Sequence, residues 1–150
     1  MNQVNVLDAA RELQLLNAPL TKVLFHGHSM EPLLTEGDTI VLEKVDFEDI
    51  QVGDIIVSYF EDKFPARRVI AKNQDGITAW CENRPNRGIF EIPAQEVLAK
   101  IVSRLRNSKT LAQGDLKWEL IAKWALIRYV FNYVTLQLRN NRRPSLRKKL

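Results

Sequence analysis

A single cysteine, Cys81, stands in 150 residues. No internal disulfide framework is therefore available, and the chain fits a reducing compartment. Histidine is nearly as scarce. His26 and His28 are the only two, and a His-x-His pair with no evident third ligand makes a poor metal centre. No metal or other cofactor is expected. No uninterrupted apolar run approaches the ~20 residues that span a bilayer. Met1 to Leu20 lacks both a basic n-region and an apolar h-region, so no signal peptide is expected. Acidic residues are missing from Arg139 to Leu150, which carries six basic ones. The whole chain is at +4, which leaves a net −2 on residues 1–138. A mildly acidic domain with a basic tail is a different object from a uniformly basic protein. The expected location is the cytoplasm, either free or peripheral on the inner face of the membrane.

What is present reads as one domain of ordinary globular composition. Val6, Ala9, Ala10, Leu13 and Leu16 recur at helical spacing, and Pro19 follows. A short helix is expected within an N-terminal segment, residues 1–22. Short runs rich in β-branched and aromatic residues come next: Thr39 to Leu42, Asp54 to Phe60, Phe64 to Ala71, Ile77 to Trp80 and Val97 to Leu105. Turn signals at Glu61-Asp62-Lys63 and Asp75-Gly76 separate them, which predicts a compact, mainly β domain over residues 23–106. Asp115 is a good N-cap for a long amphipathic helix over residues 115–139. A basic tail, residues 140–150, is expected to be disordered.

Gly27-His28-Ser29-Met30-Glu31-Pro32 concentrates the candidate chemistry. Glycine lets the backbone turn sharply, and proline bars a regular strand or helix interior. A serine between them sits on a constrained loop, and Gly37-Asp38 follows it. Two more blocks lie behind. One is Val52-Gly53-Asp54-Ile55-Ile56-Val57 with Arg67-Arg68-Val69-Ile70 after a turn. The other is Cys81-Glu82-Asn83-Arg84-Pro85-Asn86, followed by Arg87 to Pro93 and a closing Glu96-Val97-Leu98-Ala99-Lys100-Ile101-Val102. In this order the blocks resemble the signal peptidase I and LexA-like (S24/S26) serine endopeptidases.

That resemblance implies a catalytic Ser/Lys dyad. Ser29 matches the nucleophile position and Arg67 the position of the general-base lysine. Gly27, His28, Met30 and Pro32 would shape the oxyanion turn, while Glu82, Asn83 and Arg84 would order the site. The implied chemistry is acyl transfer. A lysine kept neutral by burial takes the serine proton, and backbone N–H groups hold the oxyanion. The implied partner is an extended peptide or preprotein segment, with no cofactor.

The chain departs from this pattern where the base should be. Arg67 does not deprotonate in a protein and cannot act as a general base. Lys63 shares its strand parity but would lie ~13 Å away along an extended strand. Lys72 has the opposite parity. His28 adjoins Ser29 and points to the other side in extended chain. Cys81, Glu82 and Pro85 replace a glycine and two aspartates of the third block; Cys81 itself is expected to be a small buried residue. Two readings stay open: a serine endopeptidase, and a non-catalytic module that holds a peptide or a membrane-proximal partner on the same fold. A self-cleaving switch is disfavoured, because no Ala-Gly or Cys-Gly dipeptide occurs.

The C-terminal helix carries two apolar stripes. Leu116, Leu120, Trp124, Ile127, Phe131, Val134 and Leu138 form one, and Trp118, Ala122, Ala125, Tyr129 and Tyr133 belong to the other. Lys117, Glu119, Lys123 and Arg128 interrupt the segment too often for a spanning helix. The expectation is that the leucine stripe packs on the domain. Trp118, Tyr129 and Tyr133, with Arg142, Arg143, Arg147, Lys148 and Lys149, would then meet an anionic membrane surface or a partner. The competing reading packs the helix on the domain with a solvated tail. Nucleic acid is the least favoured partner, because residues 1–138 are acidic and no recognition element stands out.

Overall fold

Short runs of β-branched and aromatic residues, separated by turns, pair into one antiparallel sheet of eight strands. The computed structural model describes residues 19–61, 63–83 and 88–141. The strands are β1 (Leu20–Leu24), β2 (Thr39–Glu43), β3 (Ile55–Ser58), β4 (Ala66–Lys72), β5 (Gly76–Trp80), β6 (Ile89–Pro93), β7 (Val97–Arg106) and β8 (Lys109–Ala112). Their order is β1-β2-β7-β3-β4-β5-β6, and β8 pairs with β7. This is the mainly β architecture expected. The expected helix at residues 5–16 lies outside the described residues, as do Arg84 and the tail residues Arg142, Arg143, Arg147, Lys148 and Lys149.

The sheet divides the core by strand parity. Ile55 and Val57 face one apolar cluster with Met30, Leu33, Leu34 and Ile40. Ile56, between them, faces a second cluster with Val69, Ile77 and Ile92. Successive side chains of a strand point to opposite faces, so β3 is buried on both. The long strand β7 joins the two halves. It pairs with β2 along one edge, and with β3 and then β8 along the other. Strands β1, β6 and β8 were not anticipated. β1 alternates only in part and β8 is four residues of mostly exposed chain, so neither carries a strong pattern of its own. Both are strands because a neighbour offers a backbone edge.

The helix α1 spans Leu116–Asn141. It starts where expected, but Asp115 does not act as the N-cap foreseen. Its carboxylate accepts the Ala112 N–H at 2.8 Å, upstream of the helix, and Glu119 reaches back to the Gly114 N–H at 3.1 Å, so both tie down the entering turn. The orientation of α1 is the reverse of the expectation. Trp118, Ala122 and Ala125 are buried, and Tyr129 packs edge-on against Trp80 at 5.5 Å. The leucine stripe faces outward, with Leu120, Trp124, Ile127 and Phe131 exposed. The two alanines let the helix axis come close to the sheet, which the bulkier stripe would hold off. Arg128 secures this choice, donating from Nη2 to the Glu82 carbonyl at 3.1 Å.

The two tryptophans separate the two orientations. Trp118 is 3% exposed and Trp124 is 61% exposed. Trp118→Ala is expected to destabilise the protein by about 3–5 kcal/mol, and Trp124→Ala to stay within about 0.5 kcal/mol of wild type. Urea denaturation of both variants checks the pair.

Candidate functional site

The serine loop leaves β1, turns at Gly27 and returns to β2. Gly27 has φ +118, which a side chain would strain, although a Cβ there would meet no atom within 4 Å. Its N–H donates to Glu36, and His26 Nδ1 bonds the same carboxylate at 2.7 Å. Together these hold Glu36 below the ordinary carboxylate range. His28 is two-thirds exposed and bonds Glu31 at 2.6 Å. That hydrogen bond raises its pKa and turns its Nδ1 toward Glu31. Met30 is wholly buried and serves as an apolar anchor for the loop, while Pro32 is exposed beside α1.

Asp38 fixes the far end of the loop. Arg106 Nε and Nη2 grip its two oxygens, each at 2.7 Å, and Nη2 also reaches the Leu33 carbonyl at 3.1 Å. The Thr35 N–H adds a bond at 2.9 Å. Burial alone would push the Asp38 carboxyl up. The Arg106 fork and the Thr35 N–H outweigh it and hold the carboxyl below its ordinary value. The Gly37-Asp38 pair is thus part of what shapes the serine loop.

Ser29 lies in a cleft of about 650 Å3, together with Gly27, His28, Lys63, Arg67, Cys81, Asn83 and Phe90. All three sequence blocks contribute to this cleft. Ser29 Oγ donates to the Ala66 carbonyl at 3.4 Å, and the Ser29 carbonyl accepts the Asn83 N–H at 3.1 Å. Those contacts join the serine loop to β4 and to the turn after β5. No base touches Ser29 Oγ among the described residues. Lys63 lines the same cleft, which spacing along an extended strand did not predict; it pairs with Phe60 across the turn at Glu61 (φ +46). Lys63 is exposed, however, and a lysine needs burial to become neutral. Lys72 is employed elsewhere, capping the Phe47, Glu48 and Ile50 carbonyls at 2.7–2.9 Å.

Two adjacent arginines on β4 are both buried, which a sequence reading would not assume. Their side chains go to opposite faces. Arg68 donates from Nε to Glu82 and from Nη1 to the Gly53 carbonyl at 2.7 Å. Glu82 is 1% exposed, and burial pushes its carboxyl up against the opposing pull of Arg68. Expected as a site-ordering residue, Glu82 bonds Arg68, and through its carbonyl it reaches α1. Arg67 turns instead to the cleft. Its guanidinium carbon lies 3.5 Å from the centroid of Phe90 and 5.4 Å from that of Phe60. Burial lowers its pKa and the Cys81 side chain opposes that shift. Cys81 is accordingly a half-buried cleft residue, where a small buried one was expected.

Of the surface residues proposed on α1, Trp118 lies in the core and Tyr129 packs on Trp80; Tyr133 is exposed and stacks on Tyr129 at 6.3 Å. Among the described residues, no group of three His, Cys, Asp or Glu could hold a metal ion, and no helix is long and apolar enough to cross a membrane. No protein-family model matches the chain, and no curated protein matches it.

The Asp38 carboxyl supplies a pH test. Its folded-state pKa is depressed, so its stabilisation is fully present above the unfolded pKa and is lost as pH falls through the folded one. Asp38→Asn is expected to cost about 1.5–3 kcal/mol at neutral pH. It should also flatten the loss of stability below about pH 4. Denaturant midpoints across a pH series, for wild type and variant, measure both effects.

Proposed function

We propose that this chain is a signal-peptidase-like protein whose cleft holds an extended peptide without hydrolysing it. The observation that carries the reading is the environment of Ser29. Its hydroxyl bonds the Ala66 carbonyl, and no neutral base is within reach of it among the described residues. Arg67 occupies the position that a base would need and stays charged. The order of the three blocks supports the family, and their meeting around one cleft agrees with it. Holding a peptide asks less than cutting one: a groove with apolar walls and exposed backbone is enough.

A second element of the reading is a seat on an anionic membrane surface. The support is the outward stripe of α1, where Leu116, Leu120, Trp124, Ile127 and Phe131 are all exposed. Six basic residues follow in positions 139–150. An apolar helix face beside a cluster of cations fits an interfacial helix.

A fluorophosphonate probe and a preprotein substrate test the cleft. Wild type and Ser29→Ala are expected to show the same background, and Arg67→Lys to gain Ser29-dependent labelling. Ser29-dependent cleavage by wild type would sink the non-hydrolytic reading. For the helix, wild type should co-sediment with phosphatidylserine vesicles and not with phosphatidylcholine vesicles. Phe131→Glu should weaken that binding at least about tenfold. Binding indifferent to the headgroup or to Phe131→Glu would remove the membrane seat.

A further inference from the structure

Arg67 and Arg68 are neighbours on β4, both withdrawn from water, yet they are satisfied in different ways. Arg68 finds a carboxylate for Nε and a carbonyl for Nη1, with only Nη2 left buried and unpaired. Arg67 is 5% exposed, and its Nε and Nη1 are buried with no hydrogen-bond partner. No carboxylate pairs with it among the described residues. Phe90 and Phe60 cover the guanidinium at 3.5 and 5.4 Å. A ring face offsets part of the lost hydration, but it does not replace the directed hydrogen bonds that a guanidinium makes in its own plane. The Cys81 thiol is only a weak acceptor. A buried cation left in this condition is held at a cost that an incoming acceptor would relieve.

We propose that Arg67 is a carboxylate receptor, and that the cleft takes a peptide carrying a carboxylate to that guanidinium. This deepens the peptide-holding reading and rests on it. The charge of the ligand follows from the charge of the site. One buried guanidinium matches one carboxylate through two parallel N–H···O bonds. A phosphate would bring up to two charges and more oxygens, and Lys63, the lysine lining the cleft among the described residues, is exposed. The walls supplied by Phe25, Ile40, Val57 and Phe64 suit apolar side chains on either side of the carboxylate. Phe60, the more distant of the two rings on the guanidinium, is 42% exposed. The Ser29 hydroxyl, held on the carbonyl of Ala66, the residue before Arg67, is a second polar contact in the same cleft. The carboxylate has two possible sources, a peptide C-terminus or an Asp or Glu side chain.

The test needs no knowledge of the natural peptide. The Nε–H resonance of Arg67 in the labelled full chain is identified by its loss in Arg67→Lys, whose fold is checked by thermal unfolding. Sodium acetate, titrated at constant ionic strength against chloride, is expected to move that resonance to saturation in the wild type. N-acetyl-Ala-Ala with a free C-terminus should bind at least about tenfold more tightly than its C-terminal amide. N-acetyl-Ala-Glu-amide measures the side-chain source in the same way. An Arg67 resonance that stays still throughout the acetate titration overturns the receptor. So does equal affinity for the free acid, the amide and the glutamyl amide, an outcome that leaves peptide holding intact. Ser29-dependent cleavage of a preprotein would overturn the non-hydrolytic reading alone, with the acetate titration still judging Arg67.

Discussion

Arg68 and Glu82 are taken almost wholly out of water, at 0% and 1% exposure, and the cleft depends on their meeting. Withdrawing two charges from water costs several kcal/mol per ion, and only close pairing with further hydrogen bonds offsets it. Here the pairing links distant parts of the chain. Arg68 belongs to β4 and also holds the Gly53 carbonyl; Glu82 opens the turn after β5, and its carbonyl receives Arg128 from α1. Asn83, the next residue, hydrogen-bonds the Ser29 carbonyl. One buried ion pair thereby connects the sheet centre, the helix and the serine loop. Loss of either partner would leave the other buried and uncompensated, so the constraint falls on all three.

The Asp38–Arg106 pair does similar work at the other end of the serine loop, but nearer to solvent, since the Arg106 side chain is 31% exposed. Between these two anchors the loop carries Met30, Leu33 and Leu34 into the core, all at 0% exposure. Ser29 is therefore held by its neighbours on both sides. Among the described residues, no basic side chain bonds its hydroxyl. A lysine at residue 67 could lose its charge in such a buried place, whereas a guanidinium keeps it. The same burial that would activate one residue leaves the other an unsatisfied cation, and this moves the proposed chemistry of the cleft from bond cleavage to recognition.

The helix shows how two apolar stripes of similar length are told apart. Periodicity finds both and ranks neither. Close approach to the sheet selects the one with Ala122 and Ala125, and Arg128 then locks the rotation onto the Glu82 carbonyl. The stripe left outside is the larger and more apolar one, and it is the part of this fold that most needs a partner surface.

Local pattern was enough for β2, β3, β4, β5, β7 and the extent of α1, because β-branched runs, turn residues and helical spacing act through neighbouring residues. It was also enough to bring Ser29, Arg67 and Asn83 forward as one group, since their order along the chain carried the resemblance. The sequence by itself determined a mainly β domain, a constrained serine and the absence of a lysine at residue 67. The tertiary structure alone decided that β1, β6 and β8 would pair, that Lys63 would line the cleft, that Trp118 would be core, and that Arg68 would meet a carboxylate while Arg67, among the described residues, would not. Those outcomes depend on which backbone edges, carbonyls and carboxylates meet across long stretches of chain. Whether a buried charge finds a partner is a property of that meeting, and no local spacing encodes it.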